Sequence, residues 1–218
     1  MPRPRFNTLE PERRRAILAA AAEEFVEAGI DGASYNRVIA RTGSSKGAMY
    51  YYFDDKQDLL RTVLVDAVER AAVGIGGVGA YADAAEFWAE ILKLCERCLE
   101  FLRREPVLAG LAKRMLAAGS GAFAEALAEV ARPIGEVTER LLRGGQAVGA
   151  VRSDVPIDLL VHLAMAVGEA VDRWLLAQWE GMSPQELARV PGHIVDLFKR
   201  LAAPAEAPVK RKAGGKRT

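Results

Sequence analysis

Apolar residues recur every three or four positions along most of this chain, and this spacing constrains the fold more than any other feature of the sequence. In the first such segment, Ile17, Ala20, Ala21, Phe25 and Ala28 form one stripe at helical spacing. Half of all residues are hydrophobic, alanine and leucine are abundant, and β-branched runs are scarce. Because alanine and leucine favour helices over strands, the sequence predicts an all-α fold.

One early stretch, residues 34–53, is divided into two short helical pieces. Ser34 is a favourable N-cap for the first piece, and Gly43 is suited to end it. The second piece begins at Ser44 or Ser45, and two aspartates then precede a long helix. Two short helices joined by a tight, glycine-containing turn are typical of a helix-turn-helix.

The residue types in this stretch predict which of its faces are buried. Met49 and Phe53 lie four residues apart, so they share a helix face and are expected to pack inward. Ile39 and Ala40 are expected to supply the apolar contact of the first short helix. A small helical domain with its own core is therefore predicted.

The opposite face of the second short helix is suited to DNA. Gly47 and Ala48 are small, so this face can approach base edges closely. Lys46, Tyr50 and Tyr51 are expected to point outward, where ammonium and phenol groups can bind phosphate oxygens. A serine N-cap would also leave backbone N–H groups that can meet a phosphate.

Residues 11–60 resemble the N-terminal domain of the TetR family of bacterial regulators. The matching elements are the helix end from Phe25 to Gly29, Ile39-Ala40, Gly43, the string from Ser45 through Lys46, Gly47, Ala48, Met49, Tyr50, Tyr51 and Tyr52 to Phe53, and then Lys56, Asp58 and Leu59. Val38 departs from the family's pattern, in which an acidic residue is frequent at this position. The resemblance implies an all-helical homodimer whose last two long helices form a four-helix bundle, with middle helices that enclose an inducer pocket.

The same resemblance implies a set of candidate DNA contacts. Ser34 and Tyr50 resemble phosphate contacts, whereas the start of the second short helix lies where the family reads base edges. Tyr52 is equally suited to packing within the small domain. The full set of candidates is Ser34, Asn36, Ser45, Lys46, Gly47, Ala48, Tyr50, Tyr51 and Lys56.

Three regions follow from these patterns. Residues 9–60 form the helix-turn-helix DNA-binding domain, and residues 61–202 form a C-terminal regulatory, ligand-binding and dimerisation domain. Residues 203–218 carry five basic residues and one acidic residue, a net charge of +4, and are expected to be a disordered tail. Arg3 and Arg5 could enter a minor groove as an arm, although disorder is the expectation there too.

Large apolar side chains in the C-terminal region are candidate walls of an inducer cavity. Any one of them is also suited to a core position, but together they predict a cavity for a small apolar ligand. The candidates are Trp88, Phe101, Met115, Phe123, Trp174 and Trp179.

The chain offers little for metal binding or catalysis. Cys95 and Cys98 share a helix face and could bind a metal or respond to oxidants, but zinc needs about four ligands, so two packed thiols are favoured. His162 and His193 stand apart without a nucleophile–base pattern. Neither a cofactor nor an enzymatic activity is expected.

The sequence therefore predicts a DNA-binding transcriptional regulator, and it favours a repressor that a small ligand releases from a palindromic operator. The alternative is a small-molecule carrier whose helix-turn-helix serves only packing, against which exposed lysine and tyrosine beside tiny residues argue. An apolar leader and a membrane-length segment are missing from the sequence, and cysteines are few, so a cytoplasmic location is expected.

Overall fold

The computed structural model describes residues 2–76, 79–118 and 124–204, and within these ranges all regular structure is helical. This confirms the predicted all-α class. Phe123 and tail residues 205–218 lie outside the described residues. The helices are α1 (Pro4–Asn7), α2 (Pro11–Gly32), α3 (Tyr35–Thr42), α4 (Lys46–Tyr52), α5 (Lys56–Ile75), α6 (Ala84–Arg104), α7 (Pro106–Ala118), α8 (Ala124–Ala147), α9 (Ile157–Gln178) and α10 (Pro184–Ala202), with one 3-10 turn at Trp179–Gly181.

Local signals in the sequence set most of the helix ends. Gly29 has φ +72° and interrupts the geometry of α2 near its end, and Gly43 ends α3 with φ +60°. Both values lie in the left-handed region that glycine adopts without strain. Ser45 caps α4 and Asp55 caps α5 by accepting a backbone N–H three residues on, and Ser183 begins α10 in a reciprocal capping box.

The first core belongs to the N-terminal part of the chain, residues 4–64, which we call the head. Phe25, Met49, Phe53 and Leu60 are each at most 1% exposed in this core. They come from α2, α4, the residue after α4, and α5, so the two short helices are fixed on a shared apolar centre. This packing gives α3 and α4 a rigid support.

The second core belongs to α6, α8, α9 and α10, which we call the body. Phe87, Val151 and Leu160 are each 2% exposed there. Gly145 permits the close approach of two of them, because a Cβ at this position would lie 2.5 Å from Val151 Cγ2 and 2.8 Å from Phe87 Cζ. The body therefore has a core of its own.

Helix α7 joins the two parts in a way that the sequence did not predict. Leu111 is 1% exposed and Met115 is 6% exposed, and both lie in the core of the head, against α2. The predicted boundary at residue 60 falls within the continuous helix α5. The head thus takes part of its core from a helix that lies more than 40 residues further along the chain.

Candidate nucleic-acid interface

The turn between α3 and α4 is held in place by Arg13 of α2. Its Nη1 donates to the Thr42 carbonyl across 3.0 Å, and its Nη2 donates to the Ser44 hydroxyl across 2.8 Å. The Thr42 hydroxyl accepts the Ser44 backbone N–H at 3.3 Å. These contacts fix the angle between the two short helices. Sequence reasoning missed Arg13, because nothing local distinguishes it from its two arginine neighbours.

The start of α3 is anchored by a buried glutamate. Glu24 is 1% exposed, and its Oε1 accepts from Arg37 Nε at 2.7 Å and from the Ser34 backbone N–H at 2.8 Å. The hydrogen bond from Arg37 is the main cause that lowers the pKa of Glu24, against the opposing effect of burial. The ionised carboxylate therefore ties α2 to α3.

The inward face of α3 differs from the prediction by one position. Val38 is 1% exposed and lies in the head core, whereas Ile39 is half-buried and Ala40 is exposed. The prediction for Ala40 is wrong, and Val38 is the main apolar contact of α3. An eight-residue helix with only two or three apolar positions does not fix its own rotation, so the surrounding core decides it.

The inward face of α4 is as predicted. Met49 and Phe53 are both fully buried. The Tyr35 hydroxyl donates to the Met49 carbonyl across 2.8 Å, and the Tyr35 ring lies 5.1 Å from the Tyr50 ring between centroids. Burial raises the pKa of Tyr35, so its phenol stays protonated and keeps donating. Tyr35 thus supports α4 from behind.

The outward face of α4 collects most of the predicted DNA contacts. Tyr50 and Tyr51 are 46% and 38% exposed, and Lys46 and Gly47 at the start of the helix are exposed as well. A Cβ on Gly47 would meet no atom within 4 Å, so the surface there is open. Exposed phenols and an ammonium beside a small residue can contact phosphates and base edges. Ser45 and Asn36 are also exposed, and Ala48 is half-buried.

Two predicted contacts differ in how the head engages them: Ser34 through its backbone N–H, and Lys56 through its side chain. Ser34 stands at the N-cap position of α3, but its hydroxyl accepts no cap hydrogen bond. Lys56 Nζ donates to the carbonyls of Ile30 and Asp31 at 3.1 and 2.8 Å, and so joins the end of α2 to the start of α5. A DNA contact by either residue stays a prediction.

The N-terminal segment is helical and packed, which corrects the expected disorder. Phe6 of α1 is 3% exposed, and its ring centroid lies 4.7 Å from that of Phe53 and 6.1 Å from that of Tyr52. The Arg3 backbone N–H donates to the Tyr52 carbonyl at 2.9 Å, and its guanidinium pairs with Asp54. Tyr52 therefore serves mainly to pack the head.

The candidate ligand walls are not brought together among the described residues. Met115 lies in the head core, whereas Trp88 lies in the body, edge-to-face with Phe87 at 4.9 Å. Phe101 contacts Gly74 in an open groove between α5 and α6, and Trp174 on α9 is 50% exposed. Packing alone accounts for Met115.

The groove between α5 and α6 has a volume of about 920 Å³ and a charged lining. Arg70 pairs with Glu105 across it at 2.6 Å, and Arg97 Nε donates to the Ile75 carbonyl at 2.6 Å. Phe101 is the one aromatic side chain in its described lining. This surface does not match the predicted apolar cavity.

The two cysteines are half-buried on α6 of the body. Burial raises the pKa of Cys95 to about 11 and that of Cys98 to about 12. A thiol with so high a pKa is protonated at neutral pH, and the thiolate is the reactive form. The interpretation as packed thiols is thereby favoured over an oxidant sensor.

Comparison with known families assigns both parts of the chain. A sequence model described as bacterial regulatory proteins, tetR family, matches residues 17–63, which contain α3 and α4. A second, described as the C-terminal domain of SbtR-like transcriptional regulators, matches residues 98–190. Within the described residues, no helix is both long and apolar enough to cross a membrane.

Individual proteins show the same likeness. The HTH-type transcriptional repressor Rv1474c of Mycobacterium tuberculosis is 32% identical over 198 residues, which cover 86% of this chain and 94% of that protein. The repressor AcnR of Corynebacterium diphtheriae is 29% identical over 71% of this chain and 76% of its own. Among solved structures, the fatty acid degradation regulator FadR of Bacillus halodurans has a TM-score of 0.70 at 16% identity, covering 88% of this chain and 96% of its own, which shows a shared fold.

Proposed function

The chain belongs to the TetR family of bacterial regulators, and we propose that it represses transcription by binding a pseudo-palindromic operator as a homodimer from which a small apolar ligand releases it. DNA binding and transcription regulation are the activity of the family. Repression is supported by the two relatives that match most of the chain, both of which are named repressors.

One observation carries the proposal: the exposed face of α4. Lys46, Gly47, Tyr50 and Tyr51 lie on this face, and Met49 on the opposite face is fully buried. A carrier protein would have no use for two exposed phenols and an ammonium on a helix fixed so firmly by its neighbours. This arrangement suits insertion of α4 into a major groove, with phosphate contacts at its edges.

A homodimer would place two copies of α4 in successive major grooves, about 34–36 Å apart. Apolar side chains on the last two long helices support the dimer. Leu159 and Leu163 on α9 are 49% and 37% exposed, and Leu197 on α10 is 51% exposed. Exposed leucines on adjoining helices are suited to burial against a second subunit.

Ligand control would act through the two helices shared by head and body. Helix α5 runs from the head alongside α6, and α7 contributes Leu111 and Met115 to the head core. A ligand that shifts either helix would change the separation of the two heads, with a coupling of about 1–3 kcal/mol. Among the candidate wall residues, Phe101 borders the open groove between α5 and α6, and Trp174 is exposed.

The DNA-binding proposal is tested by selecting a duplex from a random pool with the wild-type protein. Gel-shift affinities are then compared for Lys46→Ala, Tyr50→Ala and the control Lys93→Ala, whose ammonium pairs with Glu90 on α6. We expect the two α4 variants to bind about 10- to 100-fold more weakly, and the control to bind like the wild type. Failure of the wild type to select any sequence, or wild-type affinity in both α4 variants, would overturn the proposal.

The ligand proposal is tested with a series of straight-chain alcohols of increasing length. We expect longer members to raise the Tm of the protein and to weaken its affinity for the selected duplex, since binding to one state shifts the population towards it. Phe101→Ala and Trp174→Ala should reduce both effects. If no alcohol changes the Tm or the affinity, the proposal of an apolar ligand is rejected, whereas the proposal of DNA binding is unaffected.

A further inference from the structure

The basic side chains of the head differ in whether the protein already binds them. Nine arginines and lysines lie between residues 2 and 60, and seven of them donate to protein acceptors. Arg13 holds the α3–α4 turn, Arg37 binds Glu24, and Lys56 binds two carbonyls. For the side chains of Arg5 and Lys46, no hydrogen bond or ion pair is found within the described ranges. These two cations remain available to an external anion.

Arg5 is held against α4 by an aromatic ring. Its Cζ atom lies 4.2 Å from the centroid of the Tyr51 ring, and its side chain is exposed. The backbone beneath it is fixed, because Phe6 is buried and the Arg3 N–H donates to the Tyr52 carbonyl. A guanidinium that stacks on a ring keeps its N–H edge free to donate, so Arg5 is positioned before any anion arrives.

Arg5 and Lys46 lie at opposite ends of α4. Lys46 is the first residue of the helix, and Tyr51, which carries Arg5, is next to the last. The two sugar-phosphate strands bound the major groove on both sides. In the proposed docking the start of α4 meets the base edges, so Arg5, beside the other end of the helix, is the cation directed towards one of these strands.

We propose that Arg5 binds a DNA phosphate beside α4 and that the Tyr51 ring holds its guanidinium in position for that contact. This rests on the proposed docking of α4 in the major groove. It gives the N-terminal helix α1 a direct part in operator binding, and it gives Tyr51 a positioning role besides any contact of its own. A base-reading arm in the minor groove is the competing assignment.

The test measures affinity against salt concentration on two duplexes, the one selected by the wild-type protein and a scrambled duplex of the same composition. Arg5→Ala is compared with Arg15→Ala, whose Nε donates within its own helix to the Pro11 carbonyl. Each lost phosphate contact should lower the slope of log K against log salt by about 0.9, and so by about 1.8 for a dimer. We expect Arg5→Ala to show this change and a similar fractional loss on both duplexes, with Arg15→Ala unchanged.

The role of the ring is tested by repeating Arg5→Ala in two backgrounds. Tyr51→Phe keeps the ring, so the effect of Arg5→Ala should persist there, whereas in Tyr51→Leu the effect should shrink because the guanidinium is no longer held. Arg5→Lys, which keeps the charge but stacks less well, should fall between Arg5→Ala and the wild type.

Three outcomes would overturn the assignment. A salt slope in Arg5→Ala equal to that of Arg15→Ala would exclude a phosphate contact, and a loss confined to the selected duplex would indicate base reading instead. An equal effect of Arg5→Ala in the Leu and Phe backgrounds would remove the role of Tyr51. If Lys46→Ala weakens binding while Arg5→Ala does not, only this inference fails; if the wild type binds neither duplex, the proposed function fails with it.

Discussion

Arg114 on α7 donates its Nε–H to the main-chain carbonyl of Val26 on α2 across 3.0 Å. Beside this contact, a Cβ on Gly110 would lie 3.0 Å from Val26 Cγ1, so the two helices approach closely there. At the other end of α7, Arg173 of α9 donates to the Leu116 carbonyl. Helix α7 is therefore fastened to the head and to the body, and a movement of one is transmitted to the other.

Because α2 and α7 approach closely at Gly110, a large side chain at this position should destabilise the protein. Gly110→Leu should lower the free energy of unfolding by about 1–3 kcal/mol, because the added atoms overlap Val26 and force α7 away from α2. Urea unfolding measures this. The control is Gly135→Leu on α8, where a Cβ meets no atom within 4 Å. Equal stability of the two variants would show that the α2–α7 contact is loose.

The buried carboxylate of Glu24 should make the stability of the protein depend on pH in the acidic range. Its pKa in the folded state is lowered from the ordinary 4.5, so its contribution is present above that value and is lost as the pH falls through the lowered pKa. Glu24→Gln should cost about 1–3 kcal/mol at pH 7 and flatten the loss of stability on acidification. Urea unfolding from pH 7 to about pH 3 tests this.

A matched control for Glu24 is its neighbour Glu27, which pairs with Arg41 at the surface and has 61% of its side chain exposed. Glu27→Gln should cost clearly less stability than Glu24→Gln, because water screens an exposed ion pair. If the two variants lose the same stability and keep the same acid dependence, the burial of Glu24 has no energetic consequence.

Arg13 should matter more for DNA binding than its exposed position suggests. Arg13→Ala removes both hydrogen bonds to the α3–α4 turn, so the angle of α4 is less well defined and operator affinity should fall about tenfold. Gel-shift titration measures the affinity. Arg14→Ala, which loses only one long contact at 3.5 Å to the Asn7 carbonyl, should bind like the wild type. Wild-type affinity in Arg13→Ala would contradict a role in positioning.

Substitution of Gly47 should change the stability of the protein and its affinity for DNA in opposite directions. Gly47 lies within α4, and an added Cβ meets open space, so Gly47→Ala should raise the free energy of unfolding by about 0.5–1 kcal/mol through its higher helix propensity. The same methyl group would stand between α4 and the bases, so operator affinity should fall. Thermal unfolding and gel-shift titration on one preparation test both. A stabilised variant with unchanged affinity would place Gly47 outside the DNA interface.

Cys95 and Cys98 should react slowly with a disulfide reagent in the native protein. Because burial raises the pKa of Cys95 to about 11 and that of Cys98 to about 12, few thiolates form at pH 8, and a disulfide reagent should react slowly until the protein is unfolded in urea. Because the thiol pKa values are raised on folding, the protonated thiols contribute fully to the free energy of unfolding below the ordinary pKa of 9.0. This contribution is lost as the pH rises above 9.0 and through the raised values. Rapid reaction of the native protein at neutral pH would contradict the packed interpretation.

Much of the head follows from local physics, and the sequence predicted it. Left-handed glycines at 29 and 43, the serine cap of α4 and the inward pair Met49 and Phe53 depend on neighbours within one helical turn. The resemblance in residues 11–60 likewise rests on one continuous string of residues. These features need no knowledge of the rest of the chain.

The rotation of α3, the packing of α1 and the place of α7 were decided by tertiary structure. An apolar stripe predicts that a helix face is buried but not which partner covers it, so the sequence leaves Met115 open between a pocket wall and a core position, and the structure places it in the head core. For the same reason the sequence does not single out Arg13 and suggests Arg5 only as a minor-groove arm, since a basic residue shows its role only when its acceptor or ring is in place. Sequence alone therefore determined that a helix-turn-helix forms, because the signals for its caps, its turn and its inward face are local. Long-range packing decided which residues support α3 and α4 and which basic side chains remain free to bind DNA.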